Sequence, residues 1–361
     1  MTPADRARLT IDLDALAHNR AVIAKAAPGA EVAAVVKADG YGLGAGPLAR
    51  RLWAEGTRTF FVARVAEGEA LRQDLGDRDA TIYVLDGLLP RTAERFDAAR
   101  LTPVIATLPQ AHAAMALAAS RGRYEAALQV DTGMNRQGLT LDEAAALLRA
   151  PGGLRTLDVN LLVSHLGSAT EPSETRNPQQ LARFREARAL FPRTRASLAA
   201  SAGAFLGPDY RCDMVRAGIS LLGGGPEERP DARLKPVATF TAPILDVRNL
   251  QPGDRVSYAT AFTAERPMRI AIVGAGYADG VVRASMGKGH AWVAGALRPL
   301  LAVNMDLLVV DLGDGQAAVG DAVELLGEHA LLDDLAAAAG TVAHEVLSRL
   351  SSRAERIYLG A

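Results

Sequence analysis

Cysteine is nearly absent: the 361 residues hold a single one, Cys212. That excludes an internal disulfide and suits a reducing compartment. Lysine is also scarce, with four copies (Lys25, Lys37, Lys235 and Lys288) among 40 basic residues. Arginine therefore carries nearly all of the cationic surface. The formal net charge is only -1, which leaves no basic footprint and argues against nucleic acid as the main partner. No apolar stretch reaches the length of a membrane span. The opening residues, Met1 to Arg6, lack the basic start and apolar core of a secretion signal. A cytoplasmic protein with no membrane partner is expected. The six histidines (His18, His112, His165, His290, His329 and His344) show no metal-ligand spacing, so no metal is expected. Serine-hydrolase and phosphate-loop motifs are missing as well.

What is present is a chain able to bury a full core, 49% hydrophobic and 22% charged. Its length suggests two domains, or one barrel with an extension. Apolar, β-branched runs alternate with alanine-rich amphipathic stretches. The runs are 31–37, 59–63, 81–85, 102–106, 126–131, 159–165, 196–199 and 214–219. Helical segments are expected at 47–55, 66–75, 110–121, 141–148 and 178–190. Asp12 reads as the cap of a helix over 15–26. Eight strands with intervening helices predict an α/β chain that opens with a parallel (β/α)8 TIM barrel. The proline-rich stretch 226–236 reads as a hinge. From Val237 the runs are short and turn-punctuated, with one helix near 331–339, which predicts a mostly-β domain. The expected domains are 1–230 and 231–361.

Lys37 is the most informative residue. It ends a valine-rich run expected to be a buried strand, and Ala38-Asp39-Gly40-Tyr41-Gly42-Leu43-Gly44 follows as a flexible turn. α/β barrels place their chemistry at the carboxyl ends of their strands. A lysine there can form an imine with an aldehyde cofactor. The bland alternative is a lysine whose stem lies on the strand end while its amine reaches water.

The tract from Val35 to Gly44 closely resembles the pyridoxal-phosphate (PLP) lysine signature of the alanine racemases. The resemblance continues in order through Val130-Asp131-Thr132-Gly133-Met134-Asn135-Arg136, Ser164-His165-Leu166, Ser201-Ala202-Gly203, Val215-Arg216-Ala217-Gly218-Ile219, Gly276-Tyr277-Ala278-Asp279-Gly280 and Met305-Asp306. It covers nearly the whole chain. Each motif alone is weak, and their order makes them specific. The resemblance implies racemisation of L- and D-alanine on PLP, supplying D-alanine for peptidoglycan. Two bases are needed, one on each face of Cα. Lys37 is implied for one face, and Tyr277, reaching the site from a second subunit, for the other. A homodimer with shared sites follows. The resemblance assigns cofactor contacts to Tyr41, His165, Ser201, Arg216, Gly218 and Ile219, with Arg216 facing the pyridine nitrogen. It assigns substrate contacts to Arg136, Met305 and Asp306.

Four positions depart from the commonest family pattern. Gln129 stands where many members carry a carbamylated lysine that braces the arginine. Ala200 replaces an asparagine, Leu222 a frequent tyrosine, and Ser352 a phosphate-binding tyrosine, with Tyr358 nearby in sequence. None removes a proton-transfer group. They bear on phosphate affinity and on alanine preference, so a racemase of serine or of small amino acids in general is the rival reading. A PLP-binding non-enzyme is a further alternative, opposed by the segment from Val237 onward.

Overall fold

The computed structural model describes residues 6–150 and 152–360. The described chain forms two compact units. Residues up to 19, 41–43 and from 222 onward make one, and residues 20–40 and 44–221 make the other.

The first strand, β1 (Arg8–Asp12), belongs to the former unit. The eight strands of the second unit are β2 (Glu31–Val35), β3 (Thr59–Val62), β4 (Thr81–Val84), β5 (Thr102–Ile105), β6 (Glu125–Gln129), β7 (Asp158–Val163), β8 (Arg195–Ser197) and β9 (Met214–Ala217). All pair in parallel in sequence order, and β2 also pairs with β9. A bridge between Ala200 and Arg216 closes the cylinder. This is the expected (β/α)8 barrel, and all eight runs expected as strands become strands. Its interior is packed solid by Ala33, Phe61, Tyr83, Val104, Ala127 and Leu161, with further side chains around them. Phe61 and Tyr83 stack at 4.9 Å. The β6–β7 register slips by one residue past Asn160. That bulge re-aims the Asn160 side chain, which accepts a 2.9 Å hydrogen bond from the Tyr83 hydroxyl.

The other unit is mostly β, as expected, and most of its strands pair antiparallel. Its strands after β9 are β10 (Ala238–Leu250), β11 (Arg255–Val256), β12 (Phe262–Thr263), β13 (Met268–Val273), β14 (His290–Val293), β15 (Ala296–Val303), β16 (Leu308–Asp311), β17 (Ala322–Leu326) and β18 (Glu355–Leu359). The long β10 pairs with β17 in its first half and β13 in its second, so the sheet closes on itself. β1 lies antiparallel to β10 and parallel to β18. The expected division at 230 therefore differs from the compact units at three points, one of them residues 41–43, which belong to the β unit. β1 joins the β unit because its backbone groups are satisfied there, and the proline-rich stretch 226–236 lies inside that unit, which begins at 222. Asp12 caps the following helix as expected, its Oδ1 accepting the N–H groups of Asp14 and Ala15 at 2.8 and 2.9 Å. Helices at Ala93–Ala98 and Ala343–Arg349 went unforeseen. No helix of the described residues is long and apolar enough to cross a membrane.

Candidate active site

Strand β2 stops at Val35, two residues before Lys37, where the sequence pattern had extended it to the lysine. Lys37 instead opens a left-handed turn. Ala38 (φ 53°, ψ 47°), Asp39 (φ 53°, ψ 50°), Gly40 (φ 62°, ψ 42°) and Tyr41 (φ 56°) lie in succession in the left-handed region. Only Gly40 occupies it without steric cost, and each of the others costs about 1–2 kcal/mol. Strain of this kind persists where surrounding contacts fix it, commonly at functional sites. Here Gly40 N–H donates to Val36 O (2.9 Å), Gly44 N–H to Asp39 O (2.8 Å) and Ala45 N–H to Asp39 Oδ1 (2.8 Å). Glu67 accepts Ala38 N–H at 3.1 Å through one oxygen and Ala63 N–H at 2.8 Å through the other. Burial, and then repulsion from Arg136, hold the Lys37 ammonium below the usual lysine range, while Glu67 and Asp86 oppose the shift.

Arg136 stands exposed on the loop after β6 and takes no hydrogen bond of its own among the described residues. The loop beneath it is tightly held. The Asp131 carboxylate accepts the N–H groups of Gly133 (2.8 Å), Met134 (2.9 Å) and Asn135 (2.9 Å). Arg176 donates to Gly133 O at 2.8 Å. Gln129, buried, donates to the carbonyl of Gln137 at 3.0 Å, so this side chain grips the backbone next to Arg136. Gln180 joins this loop to the next one. It donates to Thr132 Oγ1 and to His165 O, and it accepts Gly167 N–H at 2.7 Å.

Arg216 on β9 is 5% exposed. Its guanidinium donates to Ser197 O (2.8 Å), Ser197 Oγ (2.7 Å) and Ser164 O (2.7 Å), and it meets His165 Nδ1 at 3.2 Å. Burial lowers its pKa to about 10, which still leaves it charged at neutral pH. Ser201 Oγ accepts Gly218 N–H at 2.9 Å and Ser220 N–H at 3.3 Å. Ile219 opens a short helical turn, Ile219–Leu222, so its N–H has no partner within that turn. Ser220 is fully buried with its hydroxyl unpartnered. Such buried orphans are uncommon in folded proteins. The donor set of this unit fits PLP. It offers an amine of lowered pKa, a buried cation, and the Ser201 hydroxyl, which hydrogen bonds to Gly218 and Ser220 bring beside the Ile219 N–H after the last strand.

The remaining expected residues lie in the β unit. Tyr41 is 6% exposed, its ring 5.8 Å from that of His344, and burial pushes its phenol far above the usual range. Its hydroxyl has no partner among the described residues. Tyr358, close in sequence to Ser352, donates its hydroxyl to Leu43 O at 2.9 Å. Tyr277, Met305 and Asp306 come together. Tyr277 N–H donates to Asn304 O and Ala278 N–H to Met305 O, both at 2.9 Å. A Cβ on Gly276 would stand 2.3 Å from Asn304 O and 2.4 Å from Met305 O, so only glycine allows this approach. Arg353 ties both loops, meeting Asp279 at 3.5 Å and Asp306 at 2.8 Å.

A tyrosine the sequence reading passed over stands at the same place. Ser257 Oγ donates to Asn304 Oδ1 at 2.8 Å, and the next residue, Tyr258, is 83% exposed against 41% for Tyr277. Ser257 (φ 66°, ψ -173°) and Ala259 (φ 50°) flank it in strained backbone. The sequence carried no turn glycine to mark that strain. Glu67 and Gln180 were likewise missed, since most of their partners are backbone groups that no motif reveals. Among the described residues no three or more His, Cys, Asp or Glu side chains gather to hold a metal.

The family description "Alanine racemase, N-terminal domain" matches residues 11–226, and "Alanine racemase, C-terminal domain" matches 237–358. An alanine racemase of Methylobacterium sp. (strain 4-46) is 43% identical over 360 residues, which cover 98% of both chains. A catabolic alanine racemase of Agrobacterium fabrum is 39% identical, with 97% of this chain and 92% of that protein covered. The crystal structure of alanine racemase from Bartonella henselae with covalently bound pyridoxal phosphate superposes with a TM-score of 0.93 at 33% identity, covering 99% of this chain and 100% of that one. The biosynthetic alanine racemase of Pseudomonas aeruginosa gives 0.89 at 33% identity, covering 99% and 100%.

Proposed function

The chain belongs to the alanine racemase family, and we propose that it moves the α-proton of alanine with Lys37 on one face and a tyrosine of the β unit on the other. It is an alanine racemase that works through PLP. Bound PLP supplies an electron-withdrawing ring that makes the α-hydrogen of an attached amino acid acidic enough to remove. Everything else falls to the protein. Lys37 holds the cofactor, and its lowered pKa favours the neutral amine that takes the proton. Arg136 binds the substrate carboxylate, with Met305 N–H as a second donor and Asp306 beside it. Arg216 and His165 would hold the ring, and an arginine, always charged, has no site to take a proton from it. Tyr41, Ser201, Gly218 and Ile219 hold the phosphate. The observation that carries this reading is Lys37, set on a strained turn with its charge disfavoured, in a chain similar to alanine racemases from end to end.

The second base comes from the β unit of a partner copy, so the working form is a homodimer in the cytoplasm. It supplies D-alanine for peptidoglycan. Tyr277 is the base that the sequence resemblance implies. The exposure of Tyr258, and the strain on both sides of it, favour Tyr258 instead, with Tyr277 shaping the approach to the site. Single-turnover exchange on each enantiomer separates the two. The true base, changed to Phe, leaves cofactor binding and proton removal on the Lys37 side intact. It lowers removal from the other enantiomer by on the order of 100-fold or more. Full racemisation by both Tyr258→Phe and Tyr277→Phe would exclude both tyrosines.

A further inference from the structure

A cavity of about 370 Å3 lies within the β unit, walled by Leu222, Leu234, Leu326, Leu331 and Leu347. Of the site positions named above, only Leu222, at the end of the turn that Ile219 opens, lines it. Its volume falls within the range of small-molecule sites, which combine apolar walls with a few polar groups. The polar group here is Asp333. That residue is 4% exposed, and one of its oxygens accepts Gly225 N–H at 2.9 Å. It makes no other hydrogen bond and no ion pair among the described residues. Nearby charge is of the wrong sign to help, since Asp334 and Glu228 add negative potential and no cation opposes them. Asp231, also on the lining, is already taken by Arg233, and Glu328 at the rim is exposed. A buried carboxylate without a cation is costly, and burial pushes this one above the usual carboxylate range. A helix's first turn favours an acid, which explains an aspartate at the exposed Asp334 better than one facing an apolar cavity.

We propose that this cavity binds small apolar amines in their protonated form, the hydrocarbon body against the leucines and the ammonium on the free oxygen of Asp333. The site is separate from the proton-transfer residues, so its test does not depend on the racemase assignment. The probe is N,N-dimethylcyclohexylamine, protonated at neutral pH. As a tertiary amine it cannot form an imine with PLP, which keeps the cofactor out of the measurement. Calorimetry or ligand-observed NMR on the holoenzyme at pH 7.5 reads binding directly. Saturable binding is expected for this amine, with none for cyclohexanecarboxylate. Asp333→Asn keeps an oxygen for Gly225 N–H and so preserves the fold, and it should weaken the amine at least tenfold. Leu326→Ala should weaken it with Asp333 intact. Absence of saturable binding by the wild-type protein, equal affinity in Asp333→Asn, or equal binding of the carboxylate would each overturn the proposal.

Discussion

The guanidinium of Arg216 meets Nδ1 of His165 at 3.2 Å. Arginine can only donate, so Nδ1 must accept, and the imidazole keeps its hydrogen on Nε2. One buried cation thus sets the tautomer of a neighbouring ring while tying together the carbonyls of Ser164 and Ser197.

Arg216→Ala should leave those buried acceptors unpaired. A loss on the order of 3 kcal/mol in unfolding free energy is expected, read by urea denaturation of the apoprotein. Arg216→Lys should recover only part of it, because a single ammonium cannot span the forked set of acceptors. Equal stability of wild type and Arg216→Ala would show that the network does not bear on the fold.

Ala38 offers a test of stored strain. It sits at φ 53°, ψ 47° immediately after Lys37. Ala38→Gly removes the steric cost and should stabilise the fold by up to about 1 kcal/mol. The freed turn orients Lys37 less well, so kcat should fall while thermal unfolding moves up. A loss of stability would mean that the turn is relaxed at Ala38.

The pH dependence follows from Lys37 and Arg136. The reacting amine must be neutral to take a proton, and its pKa is held down by burial first and by Arg136 second. The acid limb of the kcat profile at saturating alanine should therefore lie below the ordinary lysine range. Arg136→Gln removes one repelling cation, raises the pKa and moves the limb to higher pH. Burial persists, so the limb stays below the range of an exposed lysine. A limb that does not move would separate Arg136 from the proton-transfer step.

Much of this was legible in the sequence, and the reasons differ by region. Buried parallel strands are short apolar runs, so all eight barrel strands stood out, and Asp12 announced its helix by capping chemistry. β1 was not legible, because its place beside β10 and β18 depends on residues more than 200 positions away. The turn at Lys37 read as the end of a strand because Ala38 carries no left-handed preference of its own; the contact from Glu67, together with the hydrogen bonds that Asp39 accepts, fixes it. At the site, ordered motifs supplied candidates such as Lys37, Arg136 and Arg216, and they passed over Tyr258. They could not show that Gln129 grips Gln137, that Ser220 stands unpartnered, or that strained backbone presents Tyr258.

The central claim is proton exchange at Cα by two bases on opposite faces. The direct measurement is incubation of the PLP-loaded enzyme with L-alanine in heavy water, with L-serine in parallel, followed by chiral separation and mass spectrometry. The account predicts D-alanine labelled at Cα, with slower label entering L-alanine, and weaker turnover of serine. Inversion of serine without inversion of alanine would keep the two-base chemistry and contradict the substrate. D-alanine that retains the original α-hydrogen in full would contradict two solvent-exchanging bases, and no inversion of either amino acid by the loaded enzyme would contradict the account as a whole.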